Sequence, residues 1–166
     1  NLGSSGSIDK TQMALEVLKS RQFISNFIQI HSILPDLMAV KAWDMQTNTI
    51  IYNEELFNSA TNKWLREVKA PRKAEPSMQE AYRVFSQVIS AKKDKETGMI
   101  IISVEHVSPF IAQQWANWLV SDINRTMKER DVVEANKSTE FLTQQIEQTK
   151  IADIRAVLYK LIEEQT

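Results

Sequence analysis

Apolar residues recur at helical spacing through the first thirty positions of the chain. Asp9 followed by Gln12 matches a capping box, which predicts a helix start near Asp9. Ser20 interrupts the pattern as a second N-cap, because its hydroxyl can accept a hydrogen bond from an amide of the next turn. The pattern therefore predicts two consecutive helices, over about residues 9–19 and 21–31.

The stretch between Pro35 and Glu75 carries a weaker pattern of apolar positions. Proline redirects the chain there, because it cannot continue a helix through its own position. The segment that follows is predicted to hold only short elements. They are a turn at Asp36–Val40, a strand at Ile50–Tyr52 and helices at Glu54–Phe57 and Asn62–Val68.

A stronger helix start follows at Ser77, where the serine is an N-cap and Glu80 occupies the third helical position. Near Val88 the pattern changes to extended chain. Lys92–Gly98 is polar and ends in a glycine, which is typical of a hairpin turn, and Met99–Glu105 is the return strand.

Ser108 and Pro109 mark the start of a long helix, because serine is a good N-cap and proline is preorganised for the first helical position. Neither glycine nor proline occurs from there to about Gln148. At ~1.5 Å per residue, roughly 40 residues span ~60 Å. A compact domain of this size is only ~40 Å across, so the helix is expected to protrude.

The long helix is predicted to have two dissimilar halves. Its near half has a core-facing stripe at four-residue spacing, and its far half has few apolar residues before Phe141. Thr149 is predicted to cap a second helix, Ile151–Gln165, that folds back to form a helical hairpin. The near stripe consists of Ile111, Trp115, Leu119, Ile123 and Met127.

Glycine content favours a helical fold, because Gly98 is the only one of three glycines beyond the opening residues. An all-β chain with many tight turns needs more positions with positive φ. The predicted class is α+β, mainly helical, with a small α/β base containing a β-hairpin and a long protruding helix. The predicted segments are a flexible lead-in at 1–8, the base at 9–108 and the extension at 109–166.

Composition excludes several functional classes. Twenty basic residues balance 21 acidic ones, so the chain is not a nucleic-acid binder that acts through bulk charge. The absence of cysteine excludes a disulfide scaffold, thiol catalysis and cysteine-based metal sites. No apolar run approaches the ~20 residues needed to cross a bilayer.

Residues that carry chemistry are scattered. His31 is expected to cap a helix and His106 to lie at the surface, since neither has clustered partners in the sequence. Asp122, Glu129 and Glu134 stand among alternating charges, which is typical of a solvated helix face. We therefore assign no catalytic, cofactor-binding or metal-binding residue.

Two surfaces are candidates for binding. The first is a contact with a glycan or a membrane surface, because an off-stripe tryptophan can stack on sugars and a basic run can bind anionic headgroups or acidic glycans. Its residues are Trp118, Lys69, Arg72 and Lys73. The second is an interface between subunits on the long helix, where alternating charge can set register. Its residues are Arg125, Lys128, Arg130, Asp131 and Glu134.

Several segments, taken in order and covering nearly the whole chain from Asp9, carry a resemblance to a known family. They are Asp9–Thr11, Ala14–Arg21, Leu34–Leu37, Pro76–Tyr82, Thr97–Gly98, Ser103–His106, Ser108–Pro109, Ala112–Trp115, Asp122–Asn124 and Leu161–Thr166. Together they resemble the Wzz-type chain-length determinants, the polysaccharide co-polymerases of bacterial O-antigen synthesis.

The resemblance implies a periplasmic domain held between two inner-membrane helices, with an α/β base near the membrane and a helical extension. Both membrane helices, a strand before Asn1 and a strand after Thr166 would then lie outside this segment. The family implies a homo-oligomeric ring that works with the O-antigen polymerase and the growing polysaccharide. It implies no catalysis and supplies no catalytic residue. We expect no cofactor and, from the charge balance, no nucleic-acid partner.

Two alternatives stay open. One is the periplasmic domain of a capsule or exopolysaccharide co-polymerase linked to a tyrosine kinase. The other, from a different class, is a glycan-processing enzyme that uses a pair of carboxylates.

Overall fold

The computed structural model describes the backbone of residues 3–165 and the side chains of residues 10–165. This part of the chain contains five helices and three antiparallel pairs of strands. The elements in order are α1 (Gly3–Leu18), α2 (Arg21–Ile30), α3 (Leu34–Met38), β1 (Val40–Asp44), β2 (Thr49–Tyr52), β3 (Phe57–Asn58), β4 (Lys63–Trp64), α4 (Met78–Val88), β5 (Ile89–Lys93), β6 (Ile100–Val104) and α5 (Pro109–Glu164).

The chain divides into two units, the first ending at Asn124 and the second beginning at Arg125. The first unit contains every strand and all of the buried core residues. The second unit is the remainder of α5, whose residues are exposed from Lys128 to Gln165. The predicted α+β, mainly helical class is confirmed.

Aromatic rings from three helices meet in the core of the first unit. Phe85 of α4 lies 5.4 Å from Phe27 of α2 and 5.9 Å from Trp115 of α5, measured between ring centroids. All three side chains are almost fully buried. Burial of rings this large supplies much of the hydrophobic stabilisation of a small domain.

The predicted helix starts are confirmed by their caps. Ser20 Oγ accepts a hydrogen bond from the Phe23 amide, and Ser108 Oγ accepts one from the Ile111 amide, both at 3.2 Å. Ser77 and Glu80 form a complete capping box, in which each side chain bonds to the other's amide. These interactions satisfy amides that have no partner within the helix.

The hairpin predicted between Val88 and Glu105 is also confirmed, with Ile89 opposite Val104 and Lys93 opposite Ile100. Asp94 closes its turn, because its side chain accepts from the Glu96 amide and the Thr97 hydroxyl. Gly98 has a φ of 72°, a conformation that glycine adopts without strain.

The short helices predicted at 54–57 and 62–68 are wrong, since the chain forms turns and the two-residue strands β3 and β4 there. Asn53 and Asn58 accept hydrogen bonds from amides two or three positions ahead, which favours turns over helix. The Phe57 and Trp64 rings pack across the strands at 4.8 Å. The predicted strand at Ile50–Tyr52 is present, and β1 is its unpredicted partner.

The predicted helix start at Asp9 is wrong, because α1 begins at Gly3. Extending an existing helix by one residue costs far less than nucleating one, so serine and glycine can be included in it. The lead-in predicted for 1–8 is therefore helical from Gly3, and Asn1 and Leu2 lie outside the described residues.

The predicted helical hairpin is also wrong, because α5 continues through Thr149 as one helix of 56 residues. The Thr149 hydroxyl donates to the carbonyl of Gln145, one turn back, so it does not cap a new helix. Thr139 and Thr143 donate in the same way. With neither glycine nor proline at this point, nothing local ends the helix.

We predict that Trp115→Ala lowers the free energy of unfolding by about 3–5 kcal/mol, because it leaves a cavity where the ring is 1% exposed. The matched control is Phe110→Ala on the same helix, where the ring is 57% exposed and the loss should stay below about 1 kcal/mol. Urea unfolding followed by circular dichroism measures both. Equal losses would show that α5 does not contribute to the core as described.

Candidate interaction surface

The near part of α5 packs into the first unit through the predicted stripe. Trp115, Leu119 and Ile123 are buried, whereas Ile111 and Met127 are half-buried. Asp122 is also buried, at 5% exposure, so the expectation of a solvated position for this carboxylate is wrong. A buried carboxylate requires a hydrogen-bonding partner.

His31 supplies that partner from the end of α2. Its Nε2 lies 2.8 Å from Asp122 Oδ2, and its side chain is 15% exposed. His31 occupies the expected C-cap position of α2, where its amide donates to the carbonyl of Phe27. The side chain, however, joins α2 to α5, which was not predicted.

His106 lies in the link between β6 and α5 and is half-buried rather than at the surface. The Ser108 amide donates to its Nδ1 at 3.0 Å, so Nε2 carries the hydrogen and donates to the carbonyl of Asp36 at 2.8 Å. The Trp115 ring stands edge-on to the imidazole at 5.0 Å. His106 therefore joins α3 to the start of α5.

Trp118, a candidate for glycan contact, is half-buried and stacked on His31. Their ring centroids are 4.2 Å apart and their planes differ by 11°. One face of the indole is thus covered by the imidazole. Among the described residues, no contact joins Trp118 to the basic residues predicted to act with it.

The basic run is organised around Glu80. Arg66 forms two hydrogen bonds to this carboxylate and two more to the carbonyls of Lys73 and Ala74. Arg72 is also paired with Glu80. The single negative charge of Glu80 offsets only one of the two arginines, so the group keeps a net positive charge. Lys69, Arg72 and Lys73 are all exposed and remain the candidates for an anionic contact.

Hydrogen bonds from Arg66, from the Ser77 amide and from Arg72 hold the pKa of Glu80 well below its usual range. Arginine-carboxylate pairs of this kind favour the ionised acid. Because folding lowers this pKa, the interaction stabilises the fold fully above the unfolded-state value of about 4.5. The stabilisation is lost as the pH falls below that value.

The second unit carries the residues predicted to form the subunit interface, and all five are exposed. They do not share one face of α5. Arg130 and Glu134 lie one turn apart on one face, and Lys128 and Asp131 lie one turn apart on another. Arg125 and Asp131 also interact with other groups of the chain.

Large apolar side chains are exposed throughout the same unit, at 51–68% of their surface. Seven of them, at positions 151–162, were predicted to lie in the returning helix of the hairpin and to cover apolar groups of the long helix. With α5 continuous, they have no partner in that hairpin. They are Val132, Val133, Phe141, Leu142, Ile146, Ile151, Ile154, Val157, Leu158, Tyr159, Leu161 and Ile162.

Within the described part of the chain, no group of three or more histidine, aspartate or glutamate side chains is placed to hold a metal ion. The helices of that part also include none long and apolar enough to cross a membrane. The arrangement instead provides an exposed helical surface with apolar and charged positions, which suits binding to another helix.

We predict that Glu80→Gln lowers the free energy of unfolding at pH 7 by about 1 kcal/mol, since a neutral amide forms weaker bonds to the two arginines. Between pH 7 and pH 3 the wild-type chain should lose more stability than this variant. Urea unfolding at both pH values measures the difference. Glu75→Gln, at an exposed position of the same loop, is the control and should retain the wild-type profile.

Comparison of the chain with protein-family models, with curated proteins and with solved structures gives no match.

Proposed function

We propose that the chain is the periplasmic part of a bacterial inner-membrane protein that assembles into an oligomeric scaffold and regulates the length of lipopolysaccharide O-antigen. In this proposal the scaffold acts without catalysis of its own. Its partners are further copies of the chain, the O-antigen polymerase and the growing polysaccharide.

The observation that carries the proposal is the exposed part of α5. Twelve large apolar side chains of this segment are more than half exposed. An isolated helix gains little stability from its own hydrogen bonds in water, and apolar surface of this extent marks a protein interaction site. The segment is therefore suited to packing against helices of neighbouring subunits.

Charge on the same segment supports assembly with a defined register. Arg130 and Glu134 have opposite charge on one face, and Lys128 and Asp131 have opposite charge on another. Each pair contributes little by itself in solution. Repeated across identical interfaces, such pairs favour one register and penalise arrangements that bring like charges together.

The ordered resemblance supports the polysaccharide role. Its segments fall at positions with defined structural roles, since Ser108 caps α5 and Trp115 is central to the core. Segments with such roles are consistent with a shared architecture and not only with a shared composition.

The proposal is tested by deleting the encoding gene in its natural host and comparing the lipopolysaccharide ladders by gel electrophoresis. We expect the modal O-antigen length to be lost and to return when the wild-type gene is restored. An unchanged length distribution would refute the role in chain-length control. A variant with Arg130→Asp and Asp131→Arg should restore the mode less well than the wild type.

Assembly is tested separately by multi-angle light scattering of the membrane-anchored protein in detergent. The Arg130→Asp, Asp131→Arg variant is expected to show a lower mass, because the reversed charges oppose the native register. Lys95→Glu, an exposed charge reversal in the β5–β6 turn, is the control and should keep the wild-type mass. An unchanged mass for the first variant would contradict an interface at these residues.

A further inference from the structure

The two histidines of the chain hold the packed part of α5 near its two ends. His106 bonds to the amide of Ser108, the N-cap of α5, and its ring meets Trp115. His31 bonds to Asp122 and stacks on Trp118, close to the last buried turn of the helix. Imidazole is the side chain that ordinarily changes charge between pH 5 and 8.

His106 uses both ring nitrogens in a single neutral form. Nδ1 accepts from the Ser108 amide, and Nε2–H donates to the Asp36 carbonyl. A proton added at Nδ1 removes the only acceptor on the ring, so the bond from Ser108 breaks. Ser108 is 1% exposed, and an unpaired buried amide is costly. Acid therefore weakens this contact.

His31 has the opposite requirement. A carboxylate can only accept, so Nε2–H donates to Asp122 and Nδ1 is the remaining acceptor. Among the described residues no buried side-chain nitrogen or oxygen lacks a partner, and Nδ1 has no partner within the protein, so it reaches solvent. A proton can therefore add there without breaking a bond.

Protonation of His31 strengthens both of its contacts. The hydrogen bond to Asp122 becomes charge-assisted, and the stack on Trp118 becomes a cation–π contact. The position of His31 at the C-terminus of α2 also favours a cation, because carbonyl oxygens without helical partners face that end.

Asp122 is the charged group that faces His31 from α5, and the uncharged ring of Phe27 lies beside it on α2. Arg125, three positions further along α5, also interacts with other groups of the chain. His106 has the Asp36 carbonyl from α3 and the exposed Glu105 beside it in the chain.

The Asp36 carboxylate is occupied by the hydroxyl of Tyr52 from β2. Burial and this bond raise the pKa of Tyr52, and a phenol keeps its proton below its pKa, so the hydroxyl donates to Asp36 throughout this pH range.

We propose that His106 and His31 form an acid-responsive pair of contacts that hold α5 with opposite proton requirements. Acidification from about pH 7.5 to pH 5 releases the N-cap of the helix and tightens its last buried turn. The inference rests on the hydrogen-bond geometry and does not depend on the proposed function.

Two measurements on the 166-residue chain test the proposal. Long-range ¹H–¹⁵N spectra of the imidazoles should show His106 as the Nε2–H form at pH 7.5. Amide hydrogen exchange, corrected for the intrinsic pH dependence of the rate, should show protection at Ser108 falling at least about tenfold by pH 5, as expected for a lost buried hydrogen bond. Protection at Ile123–Thr126 should rise about threefold.

Two matched variants separate the contacts. His106→Asn places an amide oxygen near the position of Nδ1 and cannot take up a proton, so Ser108 protection should vary less than twofold over this pH range. His31→Gln places a donor near the position of Nε2 and should abolish the increase at Ile123–Thr126.

Protection at Ser108 that persists to pH 5 in the wild-type chain overturns the proposal, whether or not His106 has gained a proton. An Nδ1–H form of His106 at pH 7.5, or a full pH response in His106→Asn, overturns it as well. An unchanged or falling protection at Ile123–Thr126 in the wild type overturns the part assigned to His31. The wild-type measurements decide the matter even if a variant fails to fold.

Discussion

Burial of one face of α5 between Ser108 and Asn124 is the interaction on which the first unit depends. Trp115 is central to it, because its ring meets Phe85 of α4 and His106 of the link from β6. Phe85 in turn meets Phe27 of α2. The helices α2, α4 and α5, which are far apart in the sequence, therefore pack together through one cluster of aromatic rings. The start of the long helix is therefore a core element of its own domain, and its position follows from side-chain packing there.

The remainder of α5 has a different source of stability. From Lys128 onward its residues are exposed, yet they include many large apolar side chains. Helix propensity and pairs one turn apart contribute a few tenths of a kcal/mol each, which is small beside the cost of ordering a long segment. Under the proposed function, contacts with neighbouring copies supply the missing burial. The same helix would then serve two cores, one within the chain and one between subunits.

Much of the fold could be predicted from local signals, because caps and turns depend on residues three or four positions apart. Ser20, Ser77 and Gly98 each show this. The boundary between α1 and α2 and the β5–β6 hairpin could both be predicted from such signals. The helical hairpin failed because Thr149 has two local options, capping a new helix or bonding back to Gln145, and the sequence alone does not choose between them. The contacts of the candidate site were less accessible, since His31 and Asp122 are separated by 91 positions. One clue to this contact was available in the sequence. Asp122 follows Trp118 by four residues, so both side chains lie on the same face of α5 and can contact the same neighbour.

The threonines of the far segment alter what that surface presents to its surroundings. Thr139, Thr143 and Thr149 each donate their hydroxyl hydrogen to a carbonyl of the preceding turn. A hydroxyl held in this way has no hydrogen left to donate to water or a sugar, while the residue, with its γ-methyl group, is exposed. The surface of this segment is consequently more apolar than its amino-acid sequence suggests. A neighbouring subunit that packs on this segment would contact methyl groups at positions that a hydropathy scale counts as polar.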